Sequence, residues 1–207
     1  MEIPQLSHFP AFSMIVDVNS FTALVAQNQL GAGVAQFVRD ILIGPIAVVE
    51  RGGGSVIGVN GDAIFAILPD AESTFMACAG IAKDLNSTCS YLAGTDYITS
   101  IPAPPSLKIG VEYGMLDNGT IATKALGRIP FCIGPATNYA ARIIAAGAGN
   151  RCHIGPAAYD AGMDAWLSGQ GIFKVAGKPG EPDYFYYQLD LGDTWIEGQR
   201  DDGEYYW

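Results

Sequence analysis

Two aspartates carry the clearest chemical signal in the sequence. Asp17 closes the apolar run from Phe12 to Val18, and Asp62 sits in Gly61-Asp62 between two short apolar segments. Carboxylates at the ends of adjacent strands put hard oxygen donors side by side, a set suited to Mg²⁺ or Mn²⁺, and the main-chain carbonyl of Val18 can complete it. By pattern alone, the commoner role of an acidic residue at a strand end is a turn or a helix cap. After Asp17, the backbone N–H groups of Ser20, Phe21 and Thr22 open a predicted helix, where they can face a phosphate. A second polar pair, Asn138 and Arg142, is four residues apart and so shares one helix face; taken alone it is an ordinary surface pair. The only histidines are His8 and His153. Neither has a partner at zinc-ligand spacing, and His153 follows a short apolar run as a strand-end residue would. No Ser-His-Asp or Cys-His arrangement is evident.

The elements that must position these residues follow from periodicity and breakers. Phe12 to Val18 reads as a buried strand, and Ser20 caps a helix from Phe21 to about Leu30 that Gly31 and Gly33 end. A second amphipathic helix covers Val34 to Ile43, with Phe37, Ile41 and Leu42 inward. Two short strands meet at Gly61-Asp62 as a hairpin. A long helix starts at Asp70 or Ser73 and runs to about Leu85, with Phe75, Cys78, Ile81 and Ala82 inward. The Pro- and Gly-bearing stretch from Tyr91 to Ser106 reads as a loop. Leu107 to Met115 alternates like a strand, Asp117-Asn118-Gly119 predicts a hairpin turn, and Thr120 to Leu126 returns. A helix from Pro135 to about Ala146, a short helix near Pro156 to Ala161, and a final hairpin carrying Phe173 and Tyr184 to Leu189 complete the series. This order predicts an α+β fold, an antiparallel sheet covered by helices. Residues 1–191 form one domain, and 192–207 form an acidic, aromatic tail that is either flexible or docked on a partner surface.

Composition bounds the function. The chain has 207 residues, 49% of them hydrophobic and 15% charged, so a sizeable core is available and wholesale disorder is excluded. The net charge of −10 disfavours a nucleic-acid polymer as partner, and requires metal ions or concentrated Lys and Arg at any anion site. No run of about twenty apolar residues predicts a membrane span, and the N-terminus lacks the features of a secretion signal. Cys78, Cys89, Cys132 and Cys152 lie in apolar segments without CxxC spacing, as reduced core thiols of a cytoplasmic protein do.

Three segments in order resemble the motifs of class III nucleotide cyclases, the adenylate and guanylate cyclases. Asp17-Val-Asn-Ser-Phe-Thr-Ala-Leu resembles the first metal-binding motif, with Ser20 where a glycine is usual. Gly61-Asp62-Ala-Ile-Phe-Ala resembles the second, and Gly134-Pro-Ala-Thr-Asn138-Tyr-Ala-Ala-Arg142 resembles the Gly-x-x-x-Asn-x-x-x-Arg helix. Each motif alone is weak; the ordered set is specific. The resemblance implies a ferredoxin-like catalytic domain in which Asp17 and Asp62 bind two Mg²⁺ or Mn²⁺ ions, Asn138 orients the ribose and Arg142 stabilises the α-phosphate. It also implies a head-to-tail homodimer, because in that family the two halves of each site come from opposite subunits.

At the two places where purine cyclases read the base, this chain has Gly58 and Phe131. Neither offers the side-chain hydrogen bonds expected for adenine or guanine. The family's triphosphate-contacting lysine aligns with Ala176, leaving Lys178, Lys174 and Arg128 as substitutes and Arg51 as a weaker one. Retention of the metal and transition-state residues beside altered base readers resembles the stand-alone pyrimidine cyclases of bacterial Pycsar antiphage defence. That implies UTP as substrate, with CTP the near alternative, and cyclic UMP as a messenger for a separate effector, since no effector domain is present. A purine cyclase and a non-catalytic dimerisation module are the competing readings.

Overall fold

The structure is a computed structural model and describes residues 7–26, 33–92, 106–125, 127–145, 149–167 and 171–190. The expected helix end at 27–30, most of the expected loop at 91–106, and the tail at 192–207 lie outside these residues. At the centre of the fold is β1 (Ser7–Val18), an alternating strand. It pairs antiparallel with β3 (Ala63–Leu68) on one side and β4 (Leu107–Thr123) on the other. The edge strand β2 (Ser55–Asn60) pairs with β3, and β5 (Gly127–Ile133) folds back on the far end of β4. On its other side, β4 pairs with β6 (Arg151–Ile154), which leads to β8 (Tyr184–Asp190) and β7 (Ile172–Val175). The sheet order is β2-β3-β1-β4-β6-β8-β7, with β5 attached to β4. The β4–β6 pair is parallel. The sheet is therefore mixed rather than wholly antiparallel, because a helix intervenes between β4–β5 and β6 and brings the chain back in the same direction.

Side chains alternate across a sheet, and here the alternation separates core from chemistry. Phe12, Met14, Val16 and Val18 of β1 join Ile109 and Val111 of β4 in the main core. On that face lie α2 (Val34–Arg51) and α3 (Ala71–Leu92), with Phe37, Ile41, Cys78 and Ile81 fully buried. The opposite face carries α4 (Pro135–Ala145), which lies on β4 and β1. It approaches closely because Gly110 has no side chain: a Cβ there would stand 2.6 Å from the Ala140 carbonyl oxygen. Ser13 of β1 donates to Thr137 of the same helix at 3.3 Å.

Several sequence expectations change. The helix predicted to stop at Ile43 continues to Arg51 with Pro45 inside it. Burial of Pro45, Val48 and Val49 in the core outweighs the lost backbone hydrogen bond. The third helix continues past Leu85 to Leu92, and Asp70 caps it through the Ser73 N–H at 2.7 Å. The Asp117-Asn118-Gly119 turn does not form. β4 runs straight through it because these residues are paired on both sides, Asp117 with His8 and Ile133, and Asn118 with Ser7 and Cys132. The His8 ring and the Asp117 carboxylate meet at 2.8 Å. The chain reverses instead between β4 and β5, after Thr123.

Short α5 (Pro156–Asp160) is held from the sheet by Glu112, a buried residue of β4. Its carboxylate accepts the Ala158 N–H at 2.7 Å and the Tyr113 N–H at 2.8 Å. Burial raises the Glu112 carboxyl, and these backbone donors oppose that shift. Cys78 and Cys152 face each other with their sulfurs 3.5 Å apart, as free, buried thiols. Among the described residues no helix is long and apolar enough to cross a membrane.

His153 lies within β6 and is fully buried against the Tyr186 ring. Its Nδ1 sits 3.2 Å from the Ile109 carbonyl, and Nε2 has no hydrogen-bond partner among the described residues. Burial, with Lys108 and Arg151 nearby, lowers its pKa to about 4. The unfolded chain therefore takes up a proton between about pH 6.5 and 4 that the folded chain resists, so this residue costs stability as pH falls through that window. Glu112 and Asp17, whose carboxyls are raised, act in the opposite sense, so the His153 effect is isolated by substitution. In urea titrations, the stability advantage of wild type over His153→Gln should shrink on going from pH 7 to pH 4. Parallel pH profiles for the two proteins would show that the buried ring does not govern this acid sensitivity.

Candidate active site

The register of β1 against β3 places Asp17 opposite Ala63, at the end of the ladder where the β2–β3 turn begins. Gly61 turns the chain with a positive φ of 62°. The Val18 N–H donates to the Asp62 carbonyl at 3.2 Å, and this bond ties the two aspartate segments together. The Asp17 carboxyl is raised by burial and next by the charge of Asp62, while Lys108 lowers it. Lys108 lies opposite Asp17 on β4, its Nζ 3.5 Å from Asp17 Oδ2. Two adjacent carboxylates, partly withdrawn from water and repelling one another, are a donor set that a divalent cation fits. Among the described residues no third His, Cys, Asp or Glu joins them. Backbone carbonyls, water or substrate oxygens would have to complete the coordination, a pattern typical of Mg²⁺.

Ser20, at the position where the resembling motif has glycine, has a left-handed φ of 60°. That conformation suits glycine and costs a serine on the order of 1 kcal/mol, so the backbone bend is kept although the residue type has changed. The following helix, α1 (Phe21–Ala26), is short. Phe21 stacks on Phe37 with centroids 6.5 Å apart, anchoring the start of the helix, and Thr22 is exposed.

A cavity of about 380 Å³ opens on the same face of the sheet. Gly58 and Phe131, the two expected base-reading positions, both line it. Its floor includes Ile15 and Ala63, and its walls come from β2 and β5. A bulge between Val56 and Gly58 shifts the β2–β3 register at this point. A Cβ placed on Gly58 would meet nothing within 4 Å, so the missing side chain leaves open space.

Asn138 and Arg142 both lie on α4, four residues apart. Asn138 is exposed. Arg142 pairs with Glu181 at 2.5 Å, in the segment between β7 and β8. Of the expected phosphate ligands, Lys178 is exposed, with its backbone N–H 3.4 Å from Glu181. Lys174 pairs with Asp183 at 2.5 Å. Arg51 is exposed and bonds back to the Ala47 carbonyl. The backbone of Arg128 pairs with Ala122 in β5, while its side chain lies outside the described part. Two residues not anticipated from sequence belong to this face, Lys108 beside Asp17 and Asn60 in the cavity. The signal for Lys108 was a single cation inside the apolar alternation Leu107-Lys-Ile-Gly-Val.

No protein-family model and no curated protein sequence matches the chain. Solved structures do match. The guanylyl cyclase Cya2 superimposes with a TM-score of 0.73 at 16% identity, covering 88% of this chain and 92% of that one. The adenylyl cyclase CyaB from P. aeruginosa gives 0.71 at 15% identity, covering 96% and 98%. A class III adenylyl cyclase-like ATP-binding protein from Pseudomonas aeruginosa gives 0.64 at 22% identity, covering 75% of this chain but 35% of that one. With the mixed sheet, the helices and the paired strand ends already in place, the chain has the fold of class III adenylyl and guanylyl cyclase domains.

Proposed function

We propose that the protein is a nucleotide cyclase that converts UTP into 3′,5′-cyclic UMP and pyrophosphate. The observation that carries this reading is the shared sheet face. The Asp17–Asp62 pair lies at the strand ends of a cyclase-type fold, beside a cavity whose two base-reading positions are Gly58 and Phe131. In the reaction the ribose 3′-oxygen bonds to the α-phosphorus, the bond from that phosphorus to the bridging oxygen breaks, and pyrophosphate leaves as the 3′-hydroxyl proton is lost. Two Mg²⁺ or Mn²⁺ ions, when bound, would supply acidification of that hydroxyl and charge neutralisation at the triphosphate. Asp17, Asp62 and the Val18 carbonyl would hold them. The N–H groups of Ser20, Phe21 and Thr22 would face phosphate oxygens, with Lys178 or Arg128 adding positive charge. Asn138 would orient the ribose, and Arg142 would meet the charge that develops on the α-phosphate oxygens. Positioning dominates, since phosphoryl chemistry asks little covalent work of the protein.

The cavity is lined mainly by apolar side chains, Phe131 among them, and position 58 has no purine-reading side chain, which supports a one-ring base over ATP or GTP. We also infer that cyclic UMP acts as a messenger for a separate effector, as in the antiphage systems that the sequence resembles. A purine substrate remains the competing reading, favoured by the adenylyl and guanylyl cyclases among the structural neighbours.

Incubation with each of the four ribonucleoside triphosphates and Mn²⁺, followed by chromatography, should give cyclic UMP as the main product. Asp62→Ala should lower turnover by about 100-fold or more. Faster conversion of ATP or GTP would establish the purine reading, and no product from any of the four would indicate a non-catalytic module. Because a Cβ at Gly58 meets open space, Gly58→Lys should be tolerated and should raise ATP turnover relative to UTP. An unchanged ratio would detach this cavity from base choice.

We infer a head-to-tail homodimer with two composite sites, in which Arg142, paired with Glu181 in its own chain, would serve the Asp17–Asp62 site of its partner. Asp62→Ala and Arg142→Ala should each be inactive alone. An equimolar mixture should regain about a quarter of wild-type activity, because half the dimers are mixed and each of those carries one intact site. A mixture as inactive as its components would rule out the composite arrangement.

A further inference from the structure

Resting on the assignment of the cavity to the substrate's base, the geometry points to Asn60 as the side chain that reads the polar edge of a pyrimidine. Gly58 and Asn60 are two residues apart on β2 and pair with Phe65 and Ala63 of β3, so they project from the same face of the sheet. Both line the cavity. Its other side chains are mainly aliphatic or aromatic, including Ile15, Ile57, Phe65 and Phe131. Cys132 adds only a thiol, a weak hydrogen-bonding group. Among the described residues lining the cavity, Asn60 alone supplies a carboxamide. It is exposed, and its amide has no hydrogen-bond partner among the described residues.

A carboxamide presents a donor and an acceptor side by side. Uracil presents the complement, an N3–H flanked by carbonyl oxygens. With the base held between apolar walls, Asn60 would accept from N3–H and donate to the adjacent carbonyl. Asn60 follows Gly58 on the same face of β2, the strand that forms one wall of the cavity, so its carboxamide can turn toward a base edge lying along that wall. An apolar pocket discriminates weakly between rings of similar shape, whereas a site that pairs a polar edge rejects ligands that lack it. Asn60 thus provides hydrogen-bonding selectivity that the residues at 58 and 131 do not.

The test uses binding as well as turnover. Wild type, Asn60→Ala and Asn60→Leu are titrated calorimetrically with UTP and with N3-methyl-UTP in Ca²⁺, and product formation with Mn²⁺ is followed separately. Wild type should prefer UTP by about tenfold or more. Both variants should compress that preference to within about twofold, chiefly by weaker UTP binding. Two variants of different size guard against a packing effect, and Asn60 is exposed, so folding should be unaffected. The same preference in wild type and both variants would overturn the role of Asn60, whatever the turnover. If the preference is present in wild type and lost in the variants, but no cyclic product forms, Asn60 stands as the reader and the cyclase assignment falls. Failure of wild type to bind UTP would remove both.

Discussion

The site depends on an electrostatic conflict that the fold enforces. β1 and β3 pair so that Asp17 and Asp62 stand at neighbouring strand ends, and the Val18–Asp62 backbone bond fixes that neighbourhood. Burial and the second carboxylate both make the Asp17 charge costly. Lys108 offsets part of that cost from the next strand, in a chain whose net charge is −10. A cation that binds only the folded form would stabilise it by mass action. Such an ion would relieve the repulsion between the two carboxylates, and that relief would contribute to its affinity. Because Lys108 already partners Asp17, it would compete with such an ion or move aside for it, which places it in the balance between stability and metal affinity.

The alternation of β1 lets one strand serve both core and chemistry. Phe12, Met14, Val16 and Val18 point into the main core, which α2 and α3 cover. Ser13 meets α4, Ile15 lines the cavity and Asp17 carries the carboxylate. A one-residue slip would exchange these two sets, so hydrophobic burial of one face fixes where the polar residues of the other must stand. Gly110 on β4 extends the same logic. By letting α4 settle against the sheet, it fixes the position of the helix that bears Asn138 and Arg142, while β1, β3 and β2 beyond the helix remain open for the cavity.

What could be read from the sequence follows from whether a signal is local. The Asp17 strand end, the Gly61-Asp62 turn and α4 are local patterns, and all three appear in the structure as expected. The α+β class also followed from element order. The Asp117-Asn118-Gly119 signal failed because strand pairing on both flanks overrode a turn preference, and the helix expected to stop at Ile43 runs on because its next turns bury Pro45, Val48 and Val49. Both errors concern long-range partners that no short window contains. Lys108 and Asn60 were missed for a related reason. Each is unremarkable in its own segment and gains meaning only from what faces it, Asp17 across the β1–β4 ladder in one case and the β5 wall of the cavity in the other. The parallel β4–β6 pair is likewise a property of connectivity through α4 rather than of either strand.

The ion pair of Arg142 with Glu181 is compatible with the role proposed for that arginine. In the single chain it is engaged by Glu181 at 2.5 Å, and both side chains remain partly open to solvent. Ion pairs with that exposure contribute about 1 kcal/mol or less, because water and salt already screen them. An α-phosphate that gains negative charge in a water-excluded site between two subunits would offer a stronger partner. Exchange of Glu181 for phosphate is therefore energetically modest. Glu181 also accepts from the Lys178 N–H and the Tyr184 hydroxyl, so it would not be left without donors. In the proposed dimer, Glu181 would hold the guanidinium on the surface of α4 until the carboxylate pair of a second copy, with its triphosphate, came within reach.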